Sequence, residues 1–458
     1  MNSETTLSKR SSLVGAANKA LPALYAAGAL ARPELDVGSI CNQLRRETGL
    51  SDFGDDWFWQ PLHVLMDALR EEASLNNLGA FAAVGQIKKV LKDRLYAQQI
   101  FSEHPAIENK SLDRPVIVVG PMRSGTTRLH RLLAADCRFS HMRSFETINP
   151  VPKPDFKPGG RDWRWIVARL AMGAVHTFNP TTAVIHPSGP FEPEEELGLL
   201  VRSIWGMKHE AQWQVPSYGR WAEAQDATPA YEYMARLLRL IGWARGDGDI
   251  RPWVLKTPQH MLDLPALMRV FPDARIIFTH REPQAVVGSS CSLVWNQMII
   301  HSDAVEPESI GREWLRKTDL QVKRMRKARL SIPKSQRIDV RYCDMEQDWK
   351  GVMRSIYSFL DMDIDPALPA MANYMANSGL ELHRHPHRYS LEAFGLEAEQ
   401  VSAQFDSYVD AFDLPRLHRN SSREAAVIRP EPASQPVEAP ALDWEPAEPA
   451  PVAAAGRR

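Results

Sequence analysis

The stretch Arg114-Pro-Val-Ile-Val-Val-Gly-Pro-Met-Arg-Ser-Gly-Thr-Thr127 decides the fold. Val116 to Val119 is a short apolar run of β-branched residues, the pattern of a strand buried in a parallel sheet. Gly120 through Gly125 predict a tight loop, and from Thr126 the pattern turns helical through Arg128-Leu-His-Arg-Leu-Leu-Ala-Ala135. Strand, glycine-bounded loop and helix together make a phosphate cradle, because the loop N–H groups and the helix N-terminus converge on one anion. Gly120, Gly125 and Thr127 keep the spacing of G-x-x-x-x-G-K-[ST], but Thr126 stands where the lysine belongs. That lysine reaches the β- and γ-phosphates of a nucleoside triphosphate. Its cation has moved into the loop as Arg123, so the expected ligand has no triphosphate tail.

Further strands follow. Trp253-Val-Leu255 ends in Lys256, Ala274 to Thr279 ends in His280-Arg281, and Arg337 to Tyr342 has Ile338 and Val340 as inward residues. Helical patterns alternate with them at Leu262 to Phe271, from Val286 to Ser290, at Glu313 to Leu330 and at Val352 to Leu360. Strands alternating with helices predict a doubly wound parallel sheet. The expected fold class is α/β: a P-loop-like parallel sheet flanked by helices, with an N-terminal helical segment and a disordered C-terminal tail. In such a sheet ligands bind at the carboxyl ends of the strands. Three of those ends carry cations, Arg123, Lys256 and Arg281, which describes a site for a ligand with several negative charges. The two strand ends after Leu255 and Thr279 offer no carboxylate to hold magnesium, so no metal site is expected.

Around this core the expected organisation is a mobile N-terminus (1–15), a helical segment (16–110), an α/β domain (111–418) with a helical insertion (161–250), and a disordered Pro/Ala/Glu-rich tail (419–458). Pro61 to Leu78 shows helical spacing with Gly79 as its stop, and Ala82 to Ile100 repeats the pattern; Trp57, Phe58 and Trp59 are expected to pack against these helices. The segment reads as a cap or as a dimerisation element, making a homodimer one expected assembly. Glu192-Pro-Glu-Glu-Glu-Leu197 reads as a solvated first turn of a helix. The tryptophans between Trp163 and Trp253 suit either an acceptor pocket or the core. A His/Arg-rich loop carries His383, Arg384, His385, His387, Arg388 and Tyr389.

Of the 458 residues, 24% are charged and 44% hydrophobic, with a net charge of −1, a globular balance with no global pull toward nucleic acid or acidic membrane. The four cysteines show no CxxC spacing and read as reduced buried thiols. Ala20 to Ala31 is too short and too broken by Pro22 and Gly28 to span a bilayer, so a cytoplasmic protein without an integral membrane segment is expected.

From about residue 50 to about residue 412 the chain resembles the sulfotransferases that use 3′-phosphoadenosine 5′-phosphosulfate, on the bacterial side similar to the tyrosylprotein type. Pro121, Arg123, Ser124, Gly125, Thr126 and Thr127 match that family's 5′-phosphosulfate loop, with Met122 as one extra residue. Arg281 and Ser289, eight positions apart, match its 3′-phosphate pair, and Lys256 its lysine beside the transferring sulfuryl group. The late loop with Arg388 and Tyr389 looks like the family's segment that closes over the nucleotide. The cytosolic branch has a catalytic histidine where Pro258 stands here. The tyrosylprotein-like branch uses a glutamate followed by threonine, which implies Glu146 (before Thr147) as base. A salt-bridge role is its alternative, and His260 and Glu194 are the other candidates. The resemblance implies transfer to a hydroxyl or amine of a small-molecule, carbohydrate or lipid acceptor, without metal. A P-loop phosphotransferase and a non-catalytic nucleotide-binding module are the competing readings.

Overall fold

Val116–Val119 forms β1, with all four residues buried. Its side chains alternate between the two faces of the sheet. Val116 and Val118 pack with Leu129, Leu132, Ile277 and Ile356 on one side, while Ile117 and Val119 pack with Leu255, Phe278, Leu267 and Val294 on the other. Burial of each such side chain contributes about 1.5–3 kcal/mol. The remaining strands are β2 (Ser140–His141), β3 (Trp253–Lys256), β4 (Arg275–His280) and β5 (Arg337–Arg341). The computed structural model describes residues 7–185, 189–246, 251–382 and 390–416. Among these residues the sheet runs β2-β3-β1-β4-β5 with every pairing parallel. The two-residue β2 has no apolar run to announce it; it is defined by pairing Ser140 with Trp253. Because β1 lies between β3 and β4, the ends that deliver Lys256, the glycine loop and Arg281 are neighbours.

The N-terminal helices span Ser12–Ala26, Val37–Thr48, Trp59–Glu71 and Asn77–Glu103. The first begins inside the stretch expected to be mobile, where Ser11 Oγ accepts the Leu13 N–H. The expected helix to Leu78 instead ends at Glu71, and Gly79 is no stop. It lies in the first turn of the next helix, its N–H donating to the Asn76 cap at 2.8 Å. A Cβ at Gly79 would overlap the His301 carbonyl, so this glycine permits a close backbone crossing. Phe58 is buried, under the guanidinium of the fully buried Arg94, 3.7 Å from its ring centroid. Arg94 donates to Arg202 O (3.1 Å), and Arg202 donates to Asp93 (2.8 Å) and to Ile148 O (2.7 Å). These bonds tie the N-terminal helices to the 161–250 region and to the helix Ser144–Ile148.

Trp205, Trp213 and Trp253 are core residues, whereas Trp163 is exposed. Cys41 and Cys291 are buried as expected; Cys137 is exposed, because it sits in the turn between the helix Thr126–Ala134 and β2. Among the described residues no helix is long and apolar enough to cross a membrane. Arg384, His385, Arg388, Tyr389 and the tail from residue 419 lie outside the described residues.

Candidate active site

The glycine loop is shaped by its own backbone. Arg123 has φ 67° and Gly125 has φ 80°, both left-handed, which turns the chain from β1 into the helix Thr126–Ala134. Arg123 is not a glycine, and its left-handed backbone belongs to the segment that presents its side chain. Gly120 leaves no room for a Cβ, because Thr279 Oγ1 from β4 occupies that space. Ser124 Oγ donates to Pro121 O (2.8 Å) and lies 2.9 Å from Thr279 Oγ1, closing the loop onto the neighbouring strand.

The three predicted cations meet around this loop. Arg123 Nε donates to Ser289 Oγ at 2.9 Å, and Arg281 donates to the carbonyl of Arg123 at 2.6 Å. Lys256 is 1% exposed, and its ammonium donates to Thr127 Oγ1 at 3.3 Å. Arg123, Ser124, Gly125, Thr126, Thr127, Lys256, Arg281 and Ser289 therefore share one crevice at the carboxyl ends of β3, β1 and β4. Sequence reasoning missed Tyr342, which follows β5 directly and reads as its last strand residue. The Arg281 guanidinium lies 4.1 Å from its ring centroid. A Cβ on Gly125 would stand 2.6 Å from its ring, so Tyr342 packs closely against the loop.

The acidic segment departs most from expectation. Glu192 to Glu196 is not a solvated first turn; the helix covers only Leu197–Leu200, and the last two glutamates turn inward. Glu195 ion-pairs with the Lys256 ammonium, its side chain 21% exposed. Glu196 is fully buried, accepting the Lys256 N–H at 2.8 Å and a hydrogen bond from His260 Nε2 at 2.5 Å. The Tyr231 hydroxyl is 2.8 Å from His260 Nδ1. Burial pushes Glu196 up, but the bonds from His260 and from the Lys256 N–H outweigh it and hold the carboxyl below its ordinary range. The Glu196–His260 pair thus fixes the backbone at the end of β3, while Glu195 remains the carboxylate on the lysine itself.

Glu146, expected as the base, is buried in an ion pair with Arg245. Its carboxylate accepts two bonds from Arg245, at 2.9 and 2.7 Å, and the Arg143 N–H at 2.9 Å. It caps the helix Ser144–Ile148 and anchors it beside β2, an ion-pair role set by the Arg245 guanidinium 99 residues away. His260, a second candidate, is committed to Glu196. His130, one turn into the helix after the loop, is fully buried with neither ring nitrogen hydrogen-bonded among the described residues. Burial first, and then the Lys256 charge, push its imidazole down to about 3, so it stays neutral beside the cationic crevice. Among the described residues the carboxylates Glu210, Glu223 and Glu313 also cluster closely. The Lys317 ammonium is already ion-paired to Glu210 at 2.6 Å and to Glu223.

This geometry has counterparts among known proteins. A profile of the sulfotransferase family matches residues 115–366, which span the sheet and every residue of the crevice described above. Two curated relatives, from Mycobacterium bovis and Mycobacterium tuberculosis, are both named omega-hydroxy-beta-dihydromenaquinone-9 sulfotransferase Stf3. Each is 22% identical over 355 residues, covering 73% of this chain and 83% of the relative. The crystal structure of sulfotransferase STF1 from Mycobacterium tuberculosis superposes with a TM-score of 0.71 at 30% identity, covering 82% of this chain and 100% of that one. Sulfotransferase STF9 from Mycobacterium avium gives a TM-score of 0.73 at 25% identity, covering 83% and 98%. The glycine loop that keeps its spacing but lacks the triphosphate lysine lies within the matched region, and the chain belongs to the sulfotransferase family.

Proposed function

We propose that the protein transfers a sulfuryl group from 3′-phosphoadenosine 5′-phosphosulfate to the hydroxyl of a lipid acceptor, with Glu195 as the general base. The observation that carries this reading is the Lys256 ammonium, shared between Thr127 of the phosphate cradle and the Glu195 carboxylate. The loop N–H groups, Ser124, Thr126 and Thr127 suit the 5′-phosphosulfate, and Arg281 with Ser289 suits the 3′-phosphate. The lipid acceptor is supported by the name of the mycobacterial Stf3 relatives, which act on a hydroxylated menaquinone.

In the proposed step the acceptor oxygen attacks sulfur in line. The new O–S bond forms as the S–O bond to the 5′-phosphate breaks, and the acceptor proton goes to Glu195. The leaving group is adenosine 3′,5′-bisphosphate. Charge builds on the sulfuryl oxygens and on the bridging oxygen, where Arg123 and Lys256 stabilise it. When the acceptor and donor are in place, Lys256 turns its charge from Glu195 to the sulfuryl group, which leaves the carboxylate open to the acceptor hydroxyl.

The test is a titration of adenosine 3′,5′-bisphosphate into the protein, paired with turnover of radiolabelled donor on a panel of lipid alcohols and water-soluble alcohols. Saturable nucleotide binding with label appearing in a lipid alcohol is the expected result. Failure to bind the nucleotide would remove the donor reading, and label entering only soluble acceptors would remove the lipid one.

A further inference from the structure

The helix Arg164–Phe178 has the sequence Arg-Trp-Ile-Val-Ala-Arg-Leu-Ala-Met-Gly-Ala-Val-His-Thr-Phe, yet Ala168 is its one buried residue. Val167 is 57% exposed, Leu170 70% and Val175 46%, and Trp163 just ahead of the helix is 60% exposed. A helix this apolar normally turns its large side chains into a core. Here Val167, Leu170 and Val175 point to solvent, and Trp165, Ile166, Met172 and Phe178 are only partly covered.

The helix Ser12–Ala26 packs beside it and shows the same anomaly. Leu13 and Leu24 are 45% and 40% exposed, and Leu30, just beyond its end, is 37% exposed. Single exposed leucines are ordinary, but two adjacent helices presenting them together make a patch of the kind that marks an interaction surface.

Charge says what covers it. Neither helix contains a carboxylate, and their charged residues are Lys19, Arg164 and Arg169. Lys19 and Arg169 are exposed, and Arg164 is paired with Asp162 at 2.6 Å. Arg161, also exposed, lies 5.9 Å from the Trp163 ring, a basic and aromatic pair at the edge of the patch. An apolar face with a basic rim, where the nearby Asp162 is neutralised by Arg164, complements an anionic lipid leaflet, in which leucine and tryptophan enter the headgroup boundary and lysine and arginine meet phosphates. A further exposed aromatic ring adjoins the patch. Phe191, 55% exposed, lies 5.7 Å from the Trp165 ring on this helix and 5.7 Å from Phe145, four residues ahead of Glu195.

We infer that the helices Ser12–Ala26 and Arg164–Phe178 form a docking face for an anionic membrane surface, holding the protein on the leaflet in which a lipid alcohol would reside. The leaflet's link to the acceptor rests on the lipid reading above, but membrane docking itself is measured without turnover.

The experiment is flotation of the full chain with vesicles of phosphatidylcholine, with and without phosphatidylglycerol. The parent protein is expected to float with the anionic vesicles and to be released by salt. Val167→Glu with Leu170→Glu, and separately Leu13→Glu with Leu24→Glu, are expected to lower the partition coefficient about tenfold or more. Nucleotide binding should persist in both. Lys19→Glu with Arg169→Glu, which keeps the apolar residues, is expected to abolish only the preference for anionic vesicles. Unchanged flotation in these variants would overturn the inference. So would a parent protein that stays with the soluble fraction, or a stable dimer in light scattering that Leu170→Glu dissociates, since the face would then belong to a second copy.

Discussion

Lys256 and Glu195 form an ion pair in which the ammonium, buried at the end of β3, also donates to Thr127 Oγ1 at 3.3 Å. One cation thereby links the phosphate cradle to a carboxylate that is 21% exposed. Glu195→Gln keeps the shape of the side chain and removes its charge and basicity. Turnover is expected to fall by about 10²–10⁴-fold, the range for loss of a positioned base. Binding of adenosine 3′,5′-bisphosphate should hold or tighten, because Lys256 then has no competing carboxylate. Glu146→Gln should instead lose stability through its bonds with Arg245, with activity falling only as far as the folded fraction does. Full activity in Glu195→Gln, beside a folded and inactive Glu146→Gln, would return the base to Glu146.

Arg281 and Ser289 are joined through Arg123, whose carbonyl accepts from one and whose guanidinium donates to the other. The role proposed for them, holding a 3′-phosphate, predicts a change of selectivity rather than a general loss of affinity. Arg281→Lys gives up the fork geometry while keeping a positive charge. Its preference for adenosine 3′,5′-bisphosphate over adenosine 5′-monophosphate should drop by about 10-fold or more, the consequence of losing hydrogen bonds to a charged group. Ser289→Ala should act in the same direction. Calorimetric titration of both nucleotides settles it; an unaltered ratio would place the 3′-phosphate elsewhere.

Glu196 is a charge with no solvent around it, balanced by His260 and by the N–H of Lys256. Glu196→Ala leaves that N–H and the His260 ring without their acceptor. The expected cost is about 3–5 kcal/mol, the usual consequence of removing one side of a buried pair. Urea unfolding measures it. A loss within the range of a surface substitution would mean that the pair contributes little to the end of β3.

The sheet was legible because its central strands are short runs of β-branched and apolar residues, and the crevice because three such runs end in cations. What stayed hidden has a common physical cause. Glu195 and Glu196 follow a proline and two other acids, a composition that suits a solvated helix start as well as it suits a buried ion-pair cluster. The partners that decide between the two, Lys256 and His260, lie 60 or more residues away in sequence. Gly79 misled for the same reason: glycine marks a helix end and a close backbone crossing alike, and only His301 distinguishes them. Glu146 matched a family pattern, but its place in the chain could not reveal that Arg245 would take its carboxylate.

His130 and His209 are both buried with neither ring nitrogen hydrogen-bonded among the described residues. Burial, helped by the Lys256 charge for one and the Lys208 charge for the other, pushes each from an ordinary 6.5 down to about 3. Between those values the unfolded chain binds a proton that the folded chain does not, so stability rises with pH across that window. It is fully present above the unfolded value and is lost as pH falls from 6.5 toward 3. Each histidine is expected to remove about 2 kcal/mol between pH 7 and pH 5. His209 stacks on Trp213 at 5.7 Å between ring centroids. His209→Phe keeps a ring there and removes the proton site, so the variant should be at least as stable as the parent at neutral pH and lose less in acid. Urea unfolding at several pH values compares the two slopes directly, and parallel slopes would show that His209 is protonated in the folded protein as readily as in the unfolded chain.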